Sequence, residues 1–374
     1  MLTIHWTEGG APRSALWRSE NGSPPPARVL VADDRLTADA AYRLARQGVG
    51  LLWRGDFHNA RQLMRAMARR VERAPSEAAV SPASPARAFH LHRQARSRRA
   101  VVLGRLLVPL DHEHAVPLRR APDVRRACTQ VYGPARGPSV VSLPELLGVV
   151  GACEWRGRGV EVPALGGRIH PHYGVFSPVR GEYADLVARA PLPSRSLAFD
   201  VGTGTGVLAA ILARRGVERL VATDQDPRAV ACARDNVERL GLTGRIDVVR
   251  ADLFPPGRAP LVVCNPPWLP AEPCSPLDHA VYDPGGRVLR GFLNGLAERL
   301  EPEGEGWLIL SDLAEHLALR TRAELLAAFG SAGLRVADRL EVRPRHPRAT
   351  DPKNPLHAAR AAEVTSLWRL RPVR

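Results

Sequence analysis

Lysine is all but missing from this 374-residue chain. Lys353 is the only one, and every other basic side chain is arginine. Together with abundant Ala, Gly and Pro, that skew reads as GC-rich coding bias, not chemistry. The charge is real all the same, because arginine stays protonated. Cysteine is scarce too. Cys128, Cys153, Cys232, Cys264 and Cys274 are odd in number and show no CxxC spacing, which disfavours both a disulfide framework and a cysteine zinc site. No apolar run approaches the length of a membrane-spanning helix. The opening residues, MLTIHWTEGG, lack the basic start and apolar stretch of a signal peptide. The expectation is a cytoplasmic monomer without membrane contact. An apolar content of 45% and this length suit a globular protein of two domains.

The formal charge of +15 is unevenly spread. Residues 1–200 hold 29 arginines and 17 carboxylates, whereas residues 201–374 hold 24 basic and 21 acidic side chains. A basic first half suits a polyanionic partner such as RNA. Coding bias on a solvated surface would produce the same numbers.

Residues 1–26 are polar, end in Ser23-Pro24-Pro25-Pro26, and read as a loose tail. An N-terminal α/β recognition domain is expected over 27–158. It starts with a strand at 28–33, a helix from Thr37 to Gln47 and a strand at Gly50–Trp53. Residues 57–73 follow as an amphipathic helix with Met64, Met67, Ala68 and Val71 on one side. Residues 75–87 read as a low-complexity linker. Further on, 101–110 looks like strand, 143–152 like a short helix, and 159–176 like a hairpin around a Gly-Gly turn.

A catalytic domain is expected over 159–374. Apolar strands at 196–201, 219–224, 246–251, 260–264 and 306–311 alternate with helical patterns. Segments 334–341 and 364–370 would complete a seven-stranded sheet. That alternation indicates a doubly wound, Rossmann-like α/β fold with a largely parallel sheet covered on both faces.

Two loops of this domain carry chemistry. Asp200-Val201-Gly202-Thr203-Gly204-Thr205-Gly206 joins the first strand to the first helix. Glycines there permit a tight turn and a close approach of the backbone to a ligand, and the helix behind offers free N–H groups. Its glycines run GxGxG, not the GxGxxG of dinucleotide sites; Val207 stands where the third glycine would be. Asp224 ends the second strand, 18 residues past Gly206, where a carboxylate can accept both hydroxyls of a ribose. Asp226 is its near competitor, but a turn must start at Asp226-Pro227. Asp252-Leu253 follows the third strand.

Asn265-Pro266-Pro267-Trp268 follows the fourth strand directly. Two prolines make the loop rigid. An amino nitrogen bonded to a base or a carbonyl is a poor nucleophile because its lone pair is delocalised. The Asn265 side-chain oxygen and the Pro266 carbonyl could draw its hydrogens and push the nitrogen toward a tetrahedral shape. Trp268 offers a flat face to a base or amide plane.

With these residues in place, the chain resembles class I methyltransferases dependent on S-adenosylmethionine. More narrowly, 159–311 resembles the amino-methylating members that carry an (N/D)PP(F/Y/W) loop. DVGTGTG and the stretch Tyr173-Gly174-Val175-Phe176-Ser177-Pro178 look most like HemK-type release-factor glutamine methyltransferases. Small-domain ribosomal RNA guanine methyltransferases are the next resemblance. It implies S-adenosylmethionine as cofactor, bound by Asp200, Gly202, Thr203, Gly204, Gly206 and Asp224. It further implies Asp252 and Leu253 beside the adenine, and Phe176 to Pro178 as a cover. HemK-type proteins carry tyrosine where this chain has Trp268 and a small helical bundle in front, and His346 to Pro355 has no counterpart in them.

Weaker signals remain. Arg61, Arg65, Arg69 and Arg73 form one stripe of the 57–73 helix, and Arg93, Arg96, Arg98 and Arg99 form a second cluster. Either could meet phosphates, or simply face water. His90/His92, His112/His114 and His170/His172 are spaced to share one side of a strand, but no metal site is expected. The combined expectation is an N-methyltransferase acting on a planar amino nitrogen of an RNA base, with RNA or the ribosome as partner. The alternatives are a glutamine amide of a protein and a non-catalytic cofactor- or RNA-binding module.

Overall fold

A computed structural model describes residues 2–73, 84–179, 181–273, 276–344, 351–352 and 354–373. Cys274, most of the expected linker at 75–87 and the greater part of His346 to Pro355 lie outside them. The chain divides into two compact units, Met1–Ser81 with His90–Glu154, and Pro82–Phe89 with Trp155–Arg374.

The first unit is built on a six-stranded sheet. Its strands are β1 (Thr3–Glu8), β2 (Ala11–Arg18), β3 (Val29–Ala32), β4 (Gly50–Trp53), β5 (Leu106–Leu110) and β6 (Ser139–Ser142), in the order β1-β2-β6-β5-β4-β3. Strands β3, β4 and β5 are parallel, and β6 runs antiparallel to β5. Helix α1 (Ala38–Arg46) starts at Thr37, whose hydroxyl accepts the Ala40 N–H. Helix α2 (Phe57–Arg73) buries Phe57, Ala60, Leu63, Met67 and Ala68; the expected face was right at Met67 and Ala68, while Met64 and Val71 are half-buried. Helices α3 (Pro85–Leu103) and α4 (Arg125–Tyr132) follow, and the next helix, α5 (Leu143–Arg158), contains the unit boundary.

Three expectations are corrected here. Residues 1–26 are not a loose tail, because β1 and β2 pair as an antiparallel hairpin. The turn is Gly9-Gly10, both at positive φ, the geometry two-residue hairpins favour. Glu8 then anchors the hairpin to Arg54, just past β4, through two bonds of 2.8 and 2.7 Å, while also accepting the Trp6 indole N–H at 2.9 Å. Second, 101–110 is not one strand. The β-branched Val101 and Val102 end helix α3, and Gly104 separates it from β5. Third, the short helix at 143–152 runs on to Arg158.

The second unit opens with the small antiparallel pair β7 (Val160–Val162) and β8 (Gly167–Ile169) and helix α6 (Glu182–Arg189). Its main sheet contains β9 (Leu197–Val201), β10 (Arg219–Asp224), β11 (Ile246–Arg250), β12 (Ala259–Cys264), β13 (Leu300–Ser311), β14 (Leu334–Val342) and β15 (Thr365–Pro372). The order is β11-β10-β9-β12-β13-β15-β14, parallel from β11 to β13, with β15 antiparallel to both its neighbours. Helices α7 (Val207–Arg214) and α8 (Pro227–Arg239) pack with α6 on one face. Helices α9 (Arg287–Arg299) and α11 (Arg322–Ser331) cover the other. The short α10 (Leu313–His316) and α12 (His357–Ala362) belong to a third cluster around Leu269 and Tyr282. This is the doubly wound α/β fold anticipated from the strand–helix alternation. Strand order reverses between β9 and β12, so their carboxyl ends open the crevice in which such sheets place ligands.

Candidate active site

The two loops singled out in the sequence leave neighbouring strands. Cys264, the last residue of β12, lies opposite Val201, the last of β9. Asn265 and Gly202 therefore emerge side by side, about one strand spacing apart.

Gly202, Gly204 and Gly206 all have positive φ, 71°, 55° and 81°, which is why this turn needs glycine at alternate positions. The turn is held from beneath. The Thr203 N–H donates to the Thr223 carbonyl at 2.8 Å, and the Gly204 N–H donates to the Asp224 carboxylate at 3.0 Å. Asp224 also accepts the Asp226 N–H, and burial pushes its carboxyl above the usual range. Asp226 instead caps α8 by accepting the Arg228 N–H. One carboxylate, Asp224, thus faces the glycine turn, while the other, Asp226, is spent on the helix.

Asp200 is buried, with 1% of its surface exposed. One carboxylate oxygen, Oδ2, accepts the Thr203 hydroxyl at 2.6 Å and the Ala209 N–H at 3.0 Å. The other, Oδ1, is buried with no hydrogen-bond partner. Burial raises the carboxyl to about 6. A buried acceptor without a donor costs free energy that a donating ligand can recover.

At the next strand end, Asp252 is exposed and reaches Arg287 at 3.4 Å. Leu253 is held at φ +67°, sparsely populated for a leucine, and its carbonyl accepts the Thr223 hydroxyl. Phe176 is exposed, whereas Val175 before it packs on Ala229 and Cys232.

In the Asn265–Trp268 loop, the Trp268 indole N–H donates to the Asn265 side-chain oxygen at 2.8 Å. The indole is half-buried and packs on apolar groups from both faces of the sheet. The sequence reading gave Trp268 only a stacking role; here its edge also fixes the amide, leaving the Asn265 oxygen one further acceptor position. Behind the loop, Leu269 bridges to Tyr282, and the Asp283 N–H donates to the Leu269 carbonyl at 2.8 Å. Buried Asp283 in turn accepts the Val288 and Leu289 N–H groups at the start of α9.

Two supporting residues were missed in the sequence. Asp283 is one; its place before Pro284-Gly285-Gly286 was the available signal. Asn236 is the other. Buried within α8, it donates to the Thr205 and His170 carbonyls and accepts the His170 N–H at 2.7 Å, so it ties the glycine turn to the segment leading to Tyr173. No sequence pattern marks it. The histidine pairs do not sit on strands: His90 and His92 are in α3, and His172 meets Asp235 at 3.0 Å while His170 meets the Arg156 carbonyl at 2.7 Å.

Known proteins line up with this half of the chain. Residues 166–332 match the methyltransferase small domain. A ribosomal protein L11 methyltransferase of Pelotomaculum thermopropionicum is 37% identical over 145 residues, 38% of this chain and 39% of that relative. A release factor glutamine methyltransferase of Cereibacter sphaeroides is 31% identical over 180 residues, 44% of this chain and 63% of that relative. The chain thus spans less than two thirds of the length of either. A crystal structure of a ribosomal protein L11 methylase from Lactobacillus delbrueckii subsp. bulgaricus aligns over 53% of this chain and 81% of that one, at 18% identity and a TM-score of 0.35. Over residues 166–332, somewhat less than half of its length, this chain is similar to the methyltransferase small domain family.

Proposed function

We propose that the chain transfers a methyl group from S-adenosylmethionine to a planar amino nitrogen of a macromolecule of translation, an RNA base in the first instance. The observation that carries the reading is the pairing of β9 and β12, which sets the Gly202–Gly206 turn and the Asn265–Trp268 loop beside one another. The residues fit the cofactor. Asp200 keeps a buried acceptor free for a donor, Asp224 is poised for ribose hydroxyls, and the helix behind Gly206 points its N–H groups at the turn. When bound, the cofactor supplies an activated methyl on a cationic sulfur, which is itself a good leaving group.

The chain's own residues then do the rest. The Asn265 oxygen and the Pro266 carbonyl accept hydrogens of the target nitrogen and localise its lone pair. Trp268 holds the Asn265 amide in place and borders the acceptor plane. Orientation of the nitrogen in line with the methyl supplies much of the acceleration. No strong base is required, because the proton can leave after transfer. An RNA base that is paired must first be unstacked to reach this loop.

A second reading, a glutamine amide of a protein, is favoured by the similarity to the release factor glutamine methyltransferase. Its amide nitrogen is as delocalised as that of a base, so the same loop serves both. Labelled methyl transfer into a cell extract, split into RNA and protein fractions, separates them. Label in RNA that Asn265→Ala abolishes supports the base; label in a protein band overturns the base in favour of the amide. Label unaffected by the substitution removes Asn265 from the mechanism.

A further inference from the structure

Helix α2 sorts its arginines. Arg70 pairs with Asp39 of α1 at 2.6 Å. Glu72, the one carboxylate in the helix, is taken by Arg99 of α3 at 2.6 Å, which ties the two helices together. Arg61, Arg65, Arg69 and Arg73 are exposed, opposite the buried Phe57–Ala60–Leu63–Met67 face. Among the described residues, none of Arg61, Arg65 and Arg69 has an ion-pair partner. Arg96 and Arg98 on α3 are likewise exposed without one.

Like charges four residues apart on a helix repel and destabilise it. Here three such pairs stand in a row, and the one carboxylate of the helix, Glu72, pairs with Arg99 of α3 and not with any of them, although Arg70 of the same helix does find an acid in Asp39. An ordinary solvated face would mix both signs. The spacing is also informative. Four residues of helix advance about 6 Å, so the stripe is a line of cations roughly 18 Å long. A line of evenly spaced charges matches a linear polyanion and not a single phosphate or carboxylate. The unit that carries it holds 22 arginines against 13 carboxylates, so the surrounding field reinforces the stripe.

We propose that the exposed face of α2, with Arg96 and Arg98 of the adjoining α3, binds the phosphate backbone of a single-stranded RNA segment. The contact would position the strand without reading its sequence, since guanidinium groups on phosphates carry no base information. The inference rests on RNA being the acceptor, and names the part of the chain that holds it.

The test is fluorescence anisotropy of the full chain with an end-labelled single-stranded RNA of mixed sequence, titrated at salt concentrations from about 50 to 200 mM. Removing three phosphate contacts with Arg61→Gln/Arg65→Gln/Arg69→Gln should lower the slope of log affinity against log salt by about 2, and weaken binding by about tenfold or more at the low-salt end. Arg61→Lys/Arg65→Lys/Arg69→Lys should keep the slope. The melting temperature of the glutamine variant, read by circular dichroism, should be unchanged or higher, because repulsion is relieved. An unchanged salt slope overturns the proposal, as does binding of polyglutamate in preference to RNA. A melting temperature that falls sharply would make the stripe a structural device, which also overturns it. Failure of the catalytic reading looks different: RNA would still bind with the expected slope while no fraction of an extract became labelled.

Discussion

The two sheets of this protein place their chemistry in opposite ways. The seven-stranded sheet is parallel through β11-β10-β9-β12-β13 and covered by helices on both faces, so its candidate site residues gather at one edge, where β9 and β12 end together. The six-stranded sheet mixes directions and begins with a hairpin, and helices α2 and α3 of its unit carry exposed arginines that have no ion-pair partner among the described residues. A parallel sheet concentrates strand ends, and with them glycine turns, helix N-termini and buried carboxylates. A mixed sheet divides its ends between two edges. On the proposed reading, the comparison sets a unit that holds a small molecule in a crevice against one that presents a charged surface.

The sharpest way to break that contrast is at the Asn265 amide. Asn265→Ala should lower the methyl-transfer rate by roughly 10²–10³, about 3–4 kcal/mol of transition-state stabilisation. Initial rates with labelled S-adenosylmethionine measure it, and a loss under tenfold would take the amide out of the reaction. Trp268→Phe keeps an aromatic face but removes the indole N–H, so it should retain more activity than Asn265→Ala.

Next in size is the buried ion-pair cluster at the far side of the same sheet. Glu305 is fully buried and accepts from Arg369, Arg371 and the Trp307 indole. Glu305→Gln should destabilise the second unit by about 2–3 kcal/mol, tempered because the arginines are partly exposed. Urea unfolding followed by tryptophan fluorescence reads this, and methyl transfer at low temperature should survive.

Asp200 gives a pH signature. Its carboxyl sits near 6 instead of the ordinary range because it is buried. In the free protein, a raised carboxyl favours folding at low pH, and that contribution is lost as pH rises through about 6. Cofactor binding runs the other way if Asp200 accepts a donor as the carboxylate. Affinity for S-adenosylmethionine should be flat above about pH 7 and fall by up to tenfold per pH unit below 6. Calorimetry across that range should show the slope in the wild type and a flatter profile in Asp200→Asn; identical profiles would remove Asp200 from the cofactor site.

The smallest effect belongs to the first unit. Glu8→Gln weakens the bonds to Arg54 and Trp6, which are half-exposed, so no more than about 1 kcal/mol is expected. Amide exchange of residues 3–18 should speed up while that of β9 to β13 stays as it was. A global change instead would mean that the hairpin is not locally stabilised.

The amino-acid sequence by itself determined the parallel sheet and the two loops. Each of those signals is local: an apolar run, a helical period, three glycines at alternate positions, two prolines after a strand. The same locality explains the errors. The first strands alternate weakly among polar residues, and their burial comes from partners far along the chain, so Thr3–Arg18 passed for a tail. Val101 and Val102 favour strands in isolation, yet the helix before them absorbs both. Only the tertiary structure decided which oxygen of Asp200 is left free, that Asn236 stitches the glycine turn to His170, that Asp283 braces the Asn265–Trp268 loop from behind, and that Trp268 grips Asn265 by its edge. These depend on side chains from different strands meeting at one edge, and no periodicity along a chain encodes a hydrogen bond across the sheet.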